Sequence, residues 1–337
     1  NEYELGSFFT SGLETMRLTV AHEFFHAIQR SYNSPDGHTY FWEMTATWIE
    51  DIIVPNGNDY IFWVNNFFEN PSVNISSTDG YSVALFGHYL SNIISNGDNS
   101  IIREIWEVYA EGNNPFLSME IVLEDIYQTN FQKSWSDFCS RNFFNGIYNN
   151  MNNNIYFHID QKDLLPLDSY SSSLSNAQLI NQSLLINDFL LTSQSSDHLS
   201  FRVDEFAKIV LDHNSSIGLE GFISIISEQN LYLNQHIYIN DNIQEIYLGD
   251  DDKIFLSYSK QNNGFLDISI DYVSNLNNQP GDSNLDQDIN VLDIVLVIDF
   301  IFLELTMNQA QYENSDINLD DTLNIYDIVL LIDLILG

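Results

Sequence analysis

The sequence predicts a multidomain protein in which a mainly α domain, an all-β sandwich and a small α domain follow one another. Apolar residues at helical spacing, many of them aromatic, extend over residues 1–165. Short β-rich runs broken by Asn, Ser, Asp and Gly fill residues 176–275. An acidic segment within residues 276–337 occurs twice, each copy followed by an apolar helical stretch. We therefore expect three domains with these boundaries.

Charge and composition exclude several classes of function. The chain holds 48 Asp and Glu against 10 Lys and Arg, whereas nucleic-acid binding needs clustered basic side chains. No apolar run reaches the ~18 residues that a membrane-spanning helix needs. We therefore expect neither a nucleic-acid partner nor a membrane span. Because Cys139 is the only cysteine, no internal disulfide can form, and we expect it to be a buried small hydrophobe.

The acidity itself suggests an extracellular protein. A net charge of −38 fits a saline medium, carboxylates gathered around cations, or both. No Lys or Arg follows Lys260, so the excess is most one-sided in the C-terminal part. The chain begins at Asn1 without Met, and we interpret it as a piece of a longer precursor.

The first predicted helix carries an H-E-x-x-H motif, His22-Glu23-Phe24-Phe25-His26. Histidines at i and i+4 lie on one helix face, which suits two corners of a tetrahedral Zn²⁺ site. Glu23, beside them, could take a proton from a zinc-bound water. The simpler alternative is a helix with two ordinary histidines. The apolar positions of this helix are Leu13, Met16, Val20, Phe24 and Ala27/Ile28.

A catalytic zinc needs a third protein ligand and an open fourth position. The metzincin continuation is excluded because Gln29 and Tyr32 stand where that class has Gly and His. The next predicted helix offers Glu43, with Glu50 as a rival two turns later. Thr47, one turn after Glu43, could orient a zinc histidine or simply pack in the core.

These residues resemble the gluzincin class of zinc peptidases. They are most similar to secreted bacterial metalloproteases first described from myxobacteria, with the pattern H-E-F-F-H-A-x-Q followed by W-x-E-x-T-A-x-W-x-E-D. The resemblance covers roughly residues 15–140, with Trp42 directly before Glu43 and so one residue closer than in that pattern. It implies one Zn²⁺ on His22, His26 and Glu43, Glu23 as general base, and a protein or peptide substrate.

The resemblance also bears on the residue that would stabilise the oxyanion. Family members carry a Tyr-Gly-x-x-x-Phe segment, which is Tyr81-Ser82-Val-Ala-Leu-Phe86 here. We prefer Tyr81 for this role, with Tyr40, His38 and His88 as alternatives. Such folds place a β-sheet before the motif helix, whereas 21 residues precede His22, so we expect an N-terminally truncated catalytic domain. The remaining histidines stand outside any metal spacing and are interpreted as structural: His158, His198, His213 and His236.

The repeated acidic segment matches an EF-hand-type calcium loop, which presents oxygens at positions 1, 3, 5, 7, 9 and 12. Both copies run directly into an apolar helical stretch, and we expect two Ca²⁺ ions. The first copy supplies Asp282, Asn284, Asp286, the Asp288 carbonyl, Asn290 and Asp293. The second supplies Asp316, Asn318, Asp320, the Thr322 carbonyl, Asn324 and Asp327.

An Asp at position 12, no helix leading into either loop, and two copies at the C-terminus together resemble a type I dockerin. That resemblance implies a cohesin module on a scaffold or cell surface as the partner. Position 6 holds Gln287 and Asp321 where Gly is usual, so weaker calcium binding is expected. Positions 10 and 11, which set the choice of cohesin in the family, are the apolar pairs Val291-Leu292 and Ile325-Tyr326.

The sequence thus predicts a secreted or cell-surface bacterial zinc endopeptidase, joined through a β-sandwich to a calcium-dependent dockerin. The main alternative is a non-catalytic adhesion or carbohydrate-associated module with a degenerate peptidase fold. A calcium-stabilised structural surface protein is the third possibility. The intact His22, Glu23 and His26 argue against both, because a decaying site would lose its ligands or base.

Overall fold

A computed structural model describes residues 10–32, 37–149, 155–170, 178–203, 207–213, 219–227, 231–239, 243–249, 252–274, 279–302 and 307–337. Helices come first, two β-sheets follow, and helices close the chain. The predicted order of helical, β-rich and helical regions is therefore confirmed at this coarse level. None of the helices in the described ranges is long and apolar enough to cross a membrane.

Seven α-helices make up the first region. Their bounds are α1 Leu13–Tyr32, α2 Thr39–Ile53, α3 Tyr60–Glu69, α4 Ala84–Tyr89, α5 Ser100–Ala110, α6 Pro115–Asp125 and α7 Phe131–Arg141. A 3₁₀ turn, Tyr81–Val83, leads into α4, and a π-helical turn, Leu90–Ile94, continues it. The sequence analysis assigned no element to α3, although its buried residues Tyr60, Val64, Phe67 and Phe68 follow helical spacing.

Helix α1 is buried on its polar face. Leu18, His22 and Gln29 lie against α2, whereas the side chain of Phe24 is 67 % exposed. The other predicted apolar positions of this helix are also exposed: Leu13, Met16, Val20 and Ile28. The predicted apolar stripe therefore points away from the described core, because the face that packs on α2 is the one that carries the motif histidines.

The second region contains two sheets with one apolar core between them. The strands are β1 Gln178–Leu179, β2 Leu184–Leu191, β3 Asp197–Arg202, β4 Ala207–His213, β5 Leu219–Ile226, β6 Gln235–Tyr238, β7 Ile243–Leu248, β8 Lys253–Lys260 and β9 Gly264–Ser274. One sheet has the order β1-β3-β8-β5-β6 and the other β2-β9-β4-β7. All neighbours are antiparallel except β1 and β3. Alternating residues of both sheets, such as Ile223 and Ile268, fill the shared core.

Helix α7 joins the helical region to the five-stranded sheet by packing on β5 and β8. Ile226 and Phe255 of these strands belong to the core of the helical region, which also buries Cys139 as predicted. The predicted domain boundary at residues 275–276 lies outside the described residues.

The described residues of the C-terminal region form three short helices around a small core that also includes Leu233 of the β region. They are α8 Val291–Ile301, α9 Gln309–Ser315 and α10 Ile325–Leu336. Asn290 and Asn324 cap α8 and α10, so each helix begins at the residue directly after its cap. These starts are three residues earlier than the apolar stretches in the sequence, which begin at Ile294 and Ile328. Helix α9 ends directly before the second acidic loop, so the prediction that no helix leads into either loop is wrong for that copy. Asn308 and Gln311 form the capping box that starts α9.

Candidate metal centre

The packing of α1 against α2 brings the predicted ligands of the first site together. His22 and His26 are one turn apart on α1, with their ring centroids 4.6 Å apart. Glu43 projects from the facing turn of α2, and its Oε2 lies 3.0 Å from Nε2 of His22 and 3.4 Å from Nε2 of His26. Ligand atoms on a tetrahedral Zn²⁺ ion lie about 3.3 Å apart, because each lies about 2.0–2.2 Å from the metal. These residues therefore have the chemistry and spacing of a three-ligand zinc site.

The other nitrogen of each imidazole is held by a second partner. Nδ1 of His22 lies 2.6 Å from Oε1 of Glu50, and Nδ1 of His26 lies 2.7 Å from Oε1 of Gln29. Gln29, only 1 % exposed, in turn donates to the carbonyl of Trp42 and the hydroxyl of Thr45. Such partners fix the tautomer that leaves Nε2 free for a metal.

The positions of Glu50 and Thr47 bear on two alternatives that spacing left open. Glu50 lies on the Nδ1 side of His22, away from the Nε2 atoms that converge on Glu43. The hydroxyl of Thr47 is buried and has no hydrogen-bond partner among the described residues. The contacts suited to orienting the imidazoles are therefore made by Glu50 and Gln29.

Tyr81 is the aromatic residue that the fold places on this centre. Its ring stacks on His22, with centroids 5.6 Å apart and planes 3° apart, and its hydroxyl is close enough to Glu43 to lower the pKa of that carboxylate. Of the alternatives, His38 instead pairs with the hydroxyl of Tyr109, while Tyr40 and His88 are buried in the core.

Gly80 allows this close approach. Its φ of +89° is in the region that favours glycine, and a Cβ there would lie 2.7 Å from Cβ of Glu43. Asp79 then accepts hydrogen bonds from the backbone and the hydroxyl of Ser82, which fixes the turn that presents Tyr81.

Glu23 follows His22 in α1, and its side chain is exposed. Burial lowers the pKa of His22, but its hydrogen bonds with Glu43 and Glu50 outweigh this and raise it to about 9. Burial raises the pKa of Glu43, yet the hydrogen bonds from the two histidines and Tyr81 hold it well below its usual range. The carboxylate of Glu43 is therefore ionised at neutral pH, as a metal ligand must be.

Sequence reasoning did not connect His88 and His158, which the structure brings together with Asp51 in a second His/carboxylate group. Asp51 lies on α2, His88 lies on α4, and His158 follows much later in the chain. No local spacing in the sequence therefore indicates that the three side chains are close together. The other predicted structural histidines lie at or in the β region, where His198, for example, packs against Phe143 and bonds the hydroxyl of Ser257.

The two acidic loops of the C-terminal region have the same local structure. The Oδ1 and Oδ2 atoms of Asp282 accept hydrogen bonds from the backbone of Asp286 and Gln287, and Asp316 does the same for its loop. Asp293 and Asp327 each accept from the loop and from their own helix cap. Position 6 is left-handed in both copies, with φ +75° at Gln287 and +59° at Asp321, which explains why EF-hand loops prefer Gly there.

Comparison with known proteins yields a family without an assigned activity. Residues 10–189 match the profile described as "Family of unknown function (DUF6055)". No curated protein matches the chain. Among solved structures, the pre-peptidase C-terminal domain of a collagenase from Bacillus anthracis aligns over 29 % of this chain and 95 % of that domain, at 17 % identity and a TM-score of 0.21.

Proposed function

We propose that this chain, which belongs to the family of unknown function DUF6055, is a secreted zinc-dependent endopeptidase carried on a cohesin-bearing scaffold or surface by a calcium-dependent dockerin. The observation that carries the first part is the convergence of His22, His26 and Glu43, with Glu50 and Gln29 behind the two imidazoles. Two histidines and a carboxylate from two packed helices form the ligand set of a catalytic zinc site.

Zinc bound by these three residues would lower the pKa of a water molecule and polarise the carbonyl of a peptide substrate. The residues of the chain would divide the remaining work. Glu50 and Gln29 hold the imidazole rings in the tautomer that binds metal. Glu23, exposed beside the centre, would accept the proton of the attacking water and return it to the leaving amine.

Tyr81 would stabilise the charge that develops on the substrate oxygen. Its hydroxyl already lies at Glu43, and its ring is held between His22 and Trp63. Burial and the hydrogen bond to Glu43 raise its pKa above its usual range, so the hydroxyl keeps its proton and remains a donor at neutral pH.

The C-terminal region supports the attachment part of the proposal. Both loops offer the oxygen ligands of a calcium site in a preformed backbone, as described above. Equivalent residues of α8 and α10 are 48–70 % exposed, and this symmetric apolar surface suits a protein partner such as a cohesin. These residues are Val291, Leu292, Val295, Ile325, Tyr326 and Val329.

Casein cleavage by a Glu23→Gln variant tests the enzymatic part of this proposal. We expect the variant to keep its zinc and lose roughly 10²–10⁴-fold in rate, because the amide cannot accept a proton. Glu14→Gln, an exposed Glu in the first turn of the same helix, is the matched control and should keep the wild-type rate. A zinc-loaded Glu23→Gln variant that cleaves casein at the wild-type rate would refute the proposal.

A further inference from the structure

A second group of histidines and carboxylates is buried behind the candidate centre. Asp51, His88 and His158 are 6 %, 2 % and 9 % exposed, and one ligand atom from each lies within 4.8 Å of the others. Asp160 lies beside His158 and is 3 % exposed. Asp51 directly follows Glu50 on α2, so the two groups share one helix.

The separations of Asp51 from the two histidines fit metal ligands better than hydrogen bonds, whereas His158 and Asp160 are hydrogen-bonded to each other. Oδ2 of Asp51 lies 3.5 Å from Nε2 of His88 and 3.6 Å from Nε2 of His158, and the latter lies 3.2 Å from Oδ2 of Asp160. Hydrogen bonds between N and O are about 2.7–3.2 Å long, whereas ligand atoms on a tetrahedral zinc are about 3.3 Å apart. The contacts of Asp51 are too long for the first and suitable for the second.

The polar atoms of this group lack the partners that buried polar atoms normally have. Nε2 of His88 and Oδ1 of Asp51 have no hydrogen-bond partner among the described residues. The ion pairs of Asp51 and Asp160 within the described chain are all with histidines, and none is with Lys or Arg. A cation bound here would give Nε2 of His88 and Oδ1 of Asp51 the partner that both atoms lack.

The surrounding side chains orient the group as second partners orient metal ligands. Tyr60 donates to Oδ2 of Asp160 and Asn58 to its Oδ1, each at 2.8 Å. The rings of His88 and His158 stack with their centroids 3.8 Å apart, and the Nε2 atoms of both face the same oxygen, Oδ2 of Asp51.

We propose that Asp51, His88 and His158 bind a second zinc ion with a structural role. All three are buried, which suits an ion that holds elements of the fold together, and Asp160 would fix the ring of His158 beside it. The ion would fasten α2 and α4 to residues 158–160, behind the helix that carries Glu43 and Glu50.

Zinc content of the full chain, measured by elemental analysis in excess calcium, tests this inference. We expect two zinc ions in the wild type and one in a His22→Ala/His26→Ala variant, whose replaced side chains belong to the first centre alone. Removing that remaining ion with a chelator should lower the melting temperature by about 5–10 °C. A His22→Ala/His26→Ala variant that holds no zinc would overturn the inference.

Matched variants separate this site from the first one. Asp51→Asn and His158→Gln should each leave one zinc, while His198→Gln, which replaces a buried histidine outside both groups, should leave two. If the proposed peptidase centre is wrong and the second site is right, the wild type will hold one zinc, which survives loss of His22 and His26. Should Asp51→Asn and His158→Gln both fold and both keep two zinc ions, the second site does not exist.

Discussion

Glu50 holds the Nδ1 atom of His22 at 2.6 Å while Glu43 approaches the opposite ring nitrogen at 3.0 Å. One imidazole thus joins two carboxylates that lie two turns apart on α2, and the two have different tasks. The carboxylate on Nε2 is placed to share a metal with the histidines, and the carboxylate on Nδ1 fixes the ring.

This arrangement predicts that Glu50 acts through zinc affinity. Glu50→Leu removes the acceptor of the Nδ1–H group and should weaken zinc binding by about 10–100-fold. Glu50→Gln retains a carbonyl acceptor and should show a smaller loss. Competition with a chromophoric chelator measures both, with the exposed Glu69→Gln as control. Unchanged zinc affinity in Glu50→Leu would show that the 2.6 Å contact orients nothing.

Tyr81 is predicted to act on turnover and not on metal binding. Tyr81→Phe keeps the ring that stacks on His22 but removes the hydroxyl, so kcat for casein should fall roughly 10²–10³-fold with zinc content unchanged. Steady-state kinetics should show most of the loss in kcat and little in KM. Tyr326→Phe, on the exposed surface of α10, should match the wild type. A Tyr81→Phe variant with full kcat would remove Tyr81 from the mechanism.

The joint between α7 and the five-stranded sheet should make the protein sensitive to acid. Asp137 is buried and accepts hydrogen bonds from Tyr89, Arg141 and His236. Burial raises the pKa of Asp137, but these partners outweigh it and hold the pKa well below its usual range. Because the folded state binds fewer protons, this stabilisation is complete above about pH 4 and is lost as pH falls towards the lowered value.

Asp137→Asn should therefore lower the free energy of unfolding by about 3–5 kcal/mol at pH 7. Below pH 4, the free energy of unfolding of this variant should decrease less steeply with falling pH than that of the wild type. Denaturant unfolding at several pH values measures both effects. Asp125→Asn, at the exposed end of α6, is the control. Equal pH profiles for Asp137→Asn and the wild type would contradict the assigned network.

The two loops should bind calcium more tightly when the left-handed residue at position 6 is replaced by glycine. A left-handed non-glycine residue is strained by roughly 1–2 kcal/mol, and Gln287 and Asp321 are such residues. Gln287→Gly and Asp321→Gly should therefore tighten calcium binding, each by up to about five- to thirtyfold. Asp288→Gly, at a loop position without positive φ, should give no gain.

Calcium titration by calorimetry compares these variants. The wild-type C-terminal region should also lose helical circular dichroism and resistance to proteolysis in EGTA. If EGTA changes neither property, the calcium sites are wrongly assigned, and the dockerin assignment is wrong with them.

Much of the fold could be predicted from local sequence patterns, whereas contacts between residues that are distant in the sequence could not. The i, i+4 spacing of His22 and His26 fixes their shared face within one helix, and the 34-residue offset fixes the equivalence of the two loops. The exposure of Phe24 could not be predicted, because it depends on which face of α1 meets α2. The roles of Glu50 and Gln29 depend on that same meeting of two helices.

The second His/carboxylate group illustrates the same limit. The sequence offers His88 as an alternative to Tyr81 and His158 as a structural histidine, and only the fold brings both to Asp51. Conversely, α3 could have been predicted, because Tyr60, Val64 and Phe68 recur at the spacing of a helix turn.

The central claim is that zinc at His22, His26 and Glu43 makes this protein a peptidase. The most direct measurement is the rate of casein cleavage before metal removal, after removal with a chelator, and after zinc or calcium is returned. We expect cleavage to be lost on removal of the metal and to be restored by zinc but not by calcium alone. Cleavage that continues undiminished in the metal-stripped protein, or that calcium alone restores, would contradict this claim.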